Sequence, residues 1–155
     1  MRLHWTIVSS LCLSGGSFIS RSAMAAFSSP SFPSYWVRVS GSGVPSVNAE
    51  FEWTTAEKIP DGFAKVCNQN GWDVSQMWNR LNGGRLWLCS RKNAAYIYWN
   101  GSDGHWWIDE PDGMGVYIAP STDSNKPPSQ GWKALRQEYE PIPFLEFVDN
   151  PTGSA

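Results

Sequence analysis

The sequence has few of the groups on which most enzymes and nucleic-acid binders depend. It contains two histidines and three cysteines, and no acidic residue precedes Glu50. Charged residues make up 17% of the chain and the formal net charge is −2. Sequence-independent binding to phosphate backbones needs clustered lysine and arginine, so nucleic acid is not an expected partner. No apolar run approaches the roughly 20 residues of a transmembrane helix, and no membrane span is expected.

Aromatic and turn-forming residues are abundant by contrast. The 155 residues include ten Trp, five Tyr and seven Phe, together with fourteen Gly and eleven Pro. Glycine and proline between short apolar runs are typical of many turns and short strands. The pattern predicts one all-β domain, a single small antiparallel β-meander or sandwich-like domain. It also allows one short helix near residues 73–81.

The N-terminal segment has the three parts of a secretory signal. Arg2 supplies the positive start, residues 5–13 form a short apolar stretch, and Ala23-Met24-Ala25 is a small-x-small cleavage pattern. Secretion is the favoured destination, and a plastid of an alga with a two-part leader is the alternative. The predicted divisions are a targeting peptide at 1–25, a Ser/Pro-rich linker at 26–35, the Trp-rich β domain at 36–148 and a loose tail at 149–155.

Removal of that leader would leave two cysteines, Cys67 and Cys89. An even pair in an oxidising compartment favours a disulfide. Two buried thiols are the equally weighted alternative, because cysteine is often a small core residue.

Local patterns place the first elements. Apolar residues spaced at i, i+3, i+4 and i+7 favour a helix from Val74 to Leu81, with Asp73 as its N-cap and Gly83 near its end. Residues 142–148 are expected to add a closing edge strand guarded by prolines. Runs of β-branched and aromatic residues between Gly, Pro and Asn predict early strands at residues 36–39, 50–54 and 63–67.

Four further strands are predicted at residues 85–90, 95–100, 105–110 and 115–120, joined by three four-residue loops. The equal loops set the register, which pairs Ser90 with Ala95, Asn100 with His105 and Glu110 with Gly115.

Side chains then alternate between two faces with a period of two. One face is apolar and is assigned to the core: Leu86, Leu88, Ile97, Trp99, Trp106, Ile108, Tyr117 and Ala119. The second face is mixed: Trp87, Cys89, Tyr96, Tyr98, His105, Trp107, Asp109, Val116 and Ile118. It is either covered by the earlier strands or exposed to a partner.

The candidate chemistry around these strands is limited. A catalytic triad would have to join His105 to Asp103 or Asp109, yet no G-x-S-x-G elbow is present. The acidic residues from Asp109 to Asp112 fit a turn better than a glycosidase pair, and their spacing does not suit calcium. No catalytic residue, metal or cofactor is therefore assigned. Asn100 is a candidate N-glycosylation acceptor, although Asn-Gly also suits the turn itself.

The leading functional hypothesis is a non-enzymatic interaction module that binds a protein partner through the mixed face. Trp and Tyr are favoured at binding hot spots because they give large contact area with few rotors. The alternatives are a carbohydrate-binding module using the same aromatics, a small hydrolase centred on His105, and a soluble or extrinsic component of an algal plastid complex. The candidate binding residues are Trp87, Tyr96, Tyr98, Trp107, Asp109 and His105.

The order of motifs also resembles a small Trp-rich β domain of algal and other protist proteins. The resemblance covers roughly residues 36–132 and rests on the runs Y-I-Y-W-N-G-S-D-G-H-W-W-I-D at 96–109 and P-P-S-Q-G-W at 127–132. Ala49 stands where that domain usually has glycine, and residues 68–81 look like an insertion. The family has no established chemistry, so the resemblance implies a fold and no site residue.

Overall fold

The computed structural model describes residues 31–150. The predicted targeting peptide and residues 151–155 lie outside the described part. The elements are β1 (Tyr35–Ser40), β2 (Glu50–Thr54), α1 (Asp61–Gln69), α2 (Val74–Asn82), β3 (Trp87–Ser90), β4 (Tyr96–Asn100), β5 (His105–Asp109), β6 (Gly115–Pro120), β7 (Lys133–Ala134) and β8 (Phe144–Asp149).

All eight strands belong to one antiparallel sheet in the order β7-β6-β5-β4-β3-β2-β1-β8. The sheet curls into a half-barrel. The prediction of a broadly all-β fold is therefore confirmed, with two short helices added to it. The predicted strand at residues 142–148 is present as β8, which forms one edge of the sheet.

The register predicted for β3 to β6 is observed over most of its length. Asn100 pairs with His105, and the amide of Ser90 donates to the carbonyl oxygen of Ala95 at 2.9 Å. A bulge between Ile108 and Asp109 shifts the last pairing, so that Asp109 rather than Glu110 lies opposite Gly115. Val116, predicted for the mixed face, packs in the inner core instead. An extra residue in one strand changes which face the following side chains occupy.

The strand predicted at residues 63–67 is wrong, because this segment lies within α1. Phe63, Val66 and Cys67 fall at i, i+3 and i+4, and Phe63 and Cys67 are buried, which places them on one side of a helix. The helix predicted next to it is confirmed as α2. Asp73 Oδ1 accepts from the Gln76 amide at 2.7 Å, and Gly83 ends the helix in the left-handed region at φ +62°.

The inner face of the sheet encloses the larger core. Its members come from every part of the sheet: Val37, Val39, Val44, Val47, Phe51, Leu88, Ala95, Ile97, Trp99, Trp106, Ile108, Val116, Tyr117, Ala119, Trp132 and Leu145. The connection between β6 and β7 crosses to the opposite edge, where the Leu145 amide of β8 donates to the Ser129 carbonyl oxygen at 3.0 Å. Lys126 Nζ lies 4.1 Å from the ring centroid of Phe147 on the same strand. These contacts brace the open side of the half-barrel.

A second core lies on the outer face, between the two helices and strands β3 to β5. We call it the aromatic layer, and its buried members are Phe63, Cys67, Trp78, Trp87, Tyr96 and Tyr98. It covers the middle of the outer face, over β3 and β4, and closes that part of the sheet to ligands.

Candidate functional site

The mixed face predicted as a binding surface is covered. Trp87, Tyr96 and Tyr98 are 3%, 0% and 4% exposed. Trp78 of α2 packs on them, with its ring centroid 5.9 Å from that of Trp87 and 5.5 Å from that of Tyr98. The expectation that these aromatics are available to a partner is wrong for the folded domain, and the cover is the helix pair rather than the early strands.

The rim of this face carries the other aromatic candidate and the histidine. Trp107 and His105 are partly exposed, and Asp103 in the preceding turn holds both. Its Oδ2 accepts from Trp107 Nε1 at 2.9 Å, and its carbonyl oxygen lies 2.7 Å from His105 Nδ1. Within residues 31–150 no hydroxyl or thiol is hydrogen-bonded to His105. The arrangement is that of a turn rather than of a nucleophile and its base.

Asp109 lies inside the aromatic layer rather than at a surface. It is buried, and both its Oδ1 and the Tyr96 hydroxyl lack a hydrogen-bond partner among the described residues. The pKa of Asp109 is raised to about 7: burial is the largest cause, the charge of Asp112 also raises it, and the nearby Tyr96 hydroxyl lowers it. The hydroxyl is thus close enough to act on the carboxyl but outside good hydrogen-bonding geometry. The pKa of Tyr96 is raised, chiefly by burial.

The two cysteines are free thiols, so the second of the two expectations for them is observed. Cys67 is buried on α1 and Cys89 is half-buried on β3. Burial raises the pKa of both thiols, and nearby carboxylates raise it further. A raised pKa disfavours the thiolate that reacts with oxidants and metals.

The Asn100 side chain stabilises the β4–β5 turn, which the Asn-Gly sequence predicted. It is buried, and its Oδ1 accepts from the Ser102 amide at 3.0 Å and from the Ser102 hydroxyl at 2.6 Å. The predicted glycosylation at Asn100 does not fit the folded domain, because the side chain that would carry the glycan is enclosed.

Residues 31–150 contain no group of three or more His, Cys, Asp or Glu side chains placed to hold a metal ion. Over the same residues, no helix combines the length and apolar character needed to cross a membrane.

The outer face of β1, β2 and β8 contributes no residue to the aromatic layer and carries alternating charges, together with Arg91 just after β3. Arg38 lies between Glu50 at 3.4 Å and Glu146 at 3.5 Å, and Arg91 lies 3.0 Å from Glu50 and 2.6 Å from Glu52. Each such exposed pair contributes at most about 1 kcal/mol. Because the pairs share partners, their main effect is to hold the two guanidinium groups in place.

Trp36 lies among these charges and is partly exposed. The guanidinium carbons of Arg38 and Arg91 are 4.9 and 5.2 Å from its ring centroid, within cation-π range. We call this surface the uncovered face and define it by Trp36, Arg38, Glu50, Glu52 and Arg91. This surface was not predicted from the sequence, although W-x-R in β1 and E-x-E in β2 place these residue types on one side of two strands.

A cleft of about 200 Å³ opens beside the uncovered face. Four of its eight lining residues are aromatic, but the surface it exposes is mainly polar and includes a carboxylate, a guanidinium and an amide. The lining residues are Phe32, Pro33, Tyr35, Trp36, Glu52, Trp53, Arg91 and Asn150. Aromatic rings next to charged and amide groups can bind both apolar and polar parts of a ligand, so the cleft and the uncovered face together form the candidate site.

No protein-family model, curated protein or solved structure matched this chain. The resemblance to a small Trp-rich β domain of algae and protists therefore stays a prediction.

Proposed function

We propose that this chain is a non-enzymatic interaction module that binds a protein partner on the uncovered face. The observation that carries the proposal is Trp36, which is partly exposed and is flanked by Arg38 and Arg91 at the mouth of an aromatic cleft. Tryptophan and arginine are the residue types most enriched at binding hot spots. The interaction function inferred from the sequence is kept, but the proposed binding surface is now the uncovered face instead of the aromatic layer.

The geometry favours binding because the surface is already ordered. Glu50 and Glu52 fix the Arg91 guanidinium before any partner arrives, which reduces the side-chain entropy that binding would otherwise cost. The cleft has room for one side chain of the partner, and the surrounding charges would form the polar rim.

We expect Trp36→Ala to weaken binding of the protein partner by roughly thirtyfold, because a tryptophan hot spot contributes about 2 kcal/mol to the binding free energy. Partners are identified by proximity labelling with the tagged chain in its own cells. The dissociation constant of each purified candidate is then measured by calorimetry.

The matched control is Trp72→Ala, because Trp72 is exposed at the α1–α2 turn, away from the uncovered face. A genuine partner binds this control as tightly as it binds the unaltered chain. If every partner tolerates Trp36→Ala and Arg91→Ala while both variants remain folded by circular dichroism, the proposed surface is not the binding surface.

Carbohydrate binding is the second candidate, favoured by the aromatic walls of the cleft and by the hydrogen-bonding groups of Glu52, Arg91 and Asn150. Sugar rings stack on Trp and Tyr while polar groups bind their hydroxyls, and a cleft of this size suits a single ring. If this function holds, a glycan array gives signals that Trp36→Ala abolishes and Trp72→Ala leaves unchanged. An array without signal would remove this candidate and leave the protein-binding proposal standing.

Secretion remains our proposal for the compartment, with an algal plastid as the alternative. The basis is the leader pattern of residues 1–25, which lies outside the described structure. Imaging of a tagged full-length chain in its own cells separates the two destinations.

A further inference from the structure

Asp109 occupies an unusual position for a carboxyl group. It lies on the outer side of β5 at the bulge, directly opposite Tyr96 of β4, a member of the aromatic layer. Its Oδ1 and the Tyr96 hydroxyl are both buried, and neither has a hydrogen-bond partner among the described residues. An ionised carboxylate in such surroundings is costly, whereas a protonated one is tolerated.

None of the groups that shift the pKa of this carboxyl carries a positive charge. Tyr96 and Tyr98 of β4 and Cys67 of α1 are neutral at physiological pH and have raised pKa values. Asp112 in the β5–β6 turn adds repulsion rather than attraction. The titratable and charged groups carried by the surrounding elements are Tyr96, Tyr98, Cys67, Cys89, Asp61, Lys65, Asp103, Glu110 and Asp112.

At the same end of β5, the backbone of α1 closely approaches the β5–β6 turn. Gly62 of α1 packs directly on Gly113 of the β5–β6 turn, so closely that a Cβ on Gly62 would lie 2.5 Å from the Gly113 nitrogen. The Glu110 amide and the Met114 carbonyl oxygen close this turn at 2.9 Å. A change in charge at Asp109 therefore acts beside a close backbone contact between α1 and the β5–β6 turn.

We propose that Asp109 is a pH-dependent latch for α1. When Asp109 is protonated, α1 packs tightly on the sheet, and when Asp109 is ionised, α1 opens more often.

The direction follows from linkage. The pKa of Asp109 is about 7 in the folded domain. For the open state, in which α1 has moved away from the sheet, we take the ordinary carboxyl pKa of 3.8. The closed state therefore binds the proton more tightly than the open state. The stability that protonation adds to the closed state is complete below about pH 4, falls as the pH rises, and is lost above about pH 7.

Amide hydrogen exchange tests the latch. After correction for intrinsic exchange rates, we expect the opening equilibrium measured at α1 amides to rise roughly a hundredfold between about pH 5 and about pH 8. Amides of β1 and β8, which belong to the inner core, should change far less. Equal acceleration in β1 and β8 would mean that ionisation weakens the whole domain, and the latch proposal would fail.

Three variants sharpen the test. Asp109→Asn cannot ionise, so the pH dependence at α1 should disappear. Tyr96→Phe removes the hydroxyl that lowers the pKa of Asp109, so the pH dependence should persist and shift to higher pH. Asp112→Asn should retain most of the pH dependence, because its carboxyl makes only a secondary contribution.

Tyr96→Phe also provides a test if Asp109→Asn does not fold. An unchanged pH midpoint in Tyr96→Phe, or a pH dependence that survives in a folded Asp109→Asn, would assign the effect to another group and overturn the proposal. None of these outcomes bears on the uncovered face, so the proposed function is tested separately.

Discussion

Replacing Trp78 with alanine is expected to lower the free energy of unfolding by about 3–5 kcal/mol, the range for removing a buried tryptophan. Trp78 is 1% exposed and lies at the centre of the aromatic layer. Its ring contacts those of Phe63, Trp87 and Tyr98, and its Nε1 donates to the Ala56 carbonyl oxygen at 3.0 Å. The substitution removes this packing and leaves the carbonyl without its donor.

Denaturant unfolding followed by near-ultraviolet circular dichroism measures this loss, and Trp72→Ala is the control within the same helix pair. Trp72 is 50% exposed, so its removal should change the free energy of unfolding by no more than about 0.5 kcal/mol. Similar losses in the two variants would contradict the central position of Trp78. A large loss at Trp78 alone would support the aromatic layer as a second core of the domain.

The strands could be predicted well because their signals are local. The predicted boundaries at 50–54 and 115–120 agree with β2 and β6 residue for residue. Alternating residues between turn-forming glycines fix both the strand and its faces. The bulge at Asp109 could not be predicted from the loop lengths, because it adds a residue inside the strand rather than in a loop.

The first helix shows why short apolar runs are ambiguous. Residues 63–67 were predicted as a strand from five residues, too few to separate a period of two from one of 3.6. A wider window includes Pro60 at the N-cap and Gly62 in the first turn, and extending the run to Gln69 gives the helical spacing of Phe63, Val66 and Cys67. This misassignment also concealed the cover of the mixed face.

The candidate site was harder to predict because it depends on distant pairings. Trp36 and Arg91 are far apart in sequence and meet only because β2 lies between β1 and β3 in the sheet. Asn150 reaches the cleft because β8 pairs with β1 along six residues. Local patterns identify the outward residues of each strand, but they do not say which strands become neighbours.

Gly113→Ala is expected to lower the free energy of unfolding by about 2–5 kcal/mol. Gly113 has φ +90°, and a Cβ there would lie 2.3 Å from the Gly62 carbonyl oxygen. The backbone conformation costs an L-residue about 1–2 kcal/mol. Relief of the contact requires α1 to move away from the turn, which adds a typical overpacking cost of about 1–3 kcal/mol.

Two further glycine variants separate these contributions. Gly84→Ala has a similar positive φ of +74° and no atom within 4 Å of the added Cβ, so it should show only the conformational cost. Gly62→Ala adds a methyl group on the α1 side of the same contact at a position without positive φ, so it should show mainly the packing cost. If Gly113→Ala and Gly84→Ala had equal effects on unfolding and Gly62→Ala had none, α1 would not be held at the β5–β6 turn. If Gly113→Ala is the most destabilising of the three, the close approach of Gly62 and Gly113 holds α1 against the β5–β6 turn, next to Asp109.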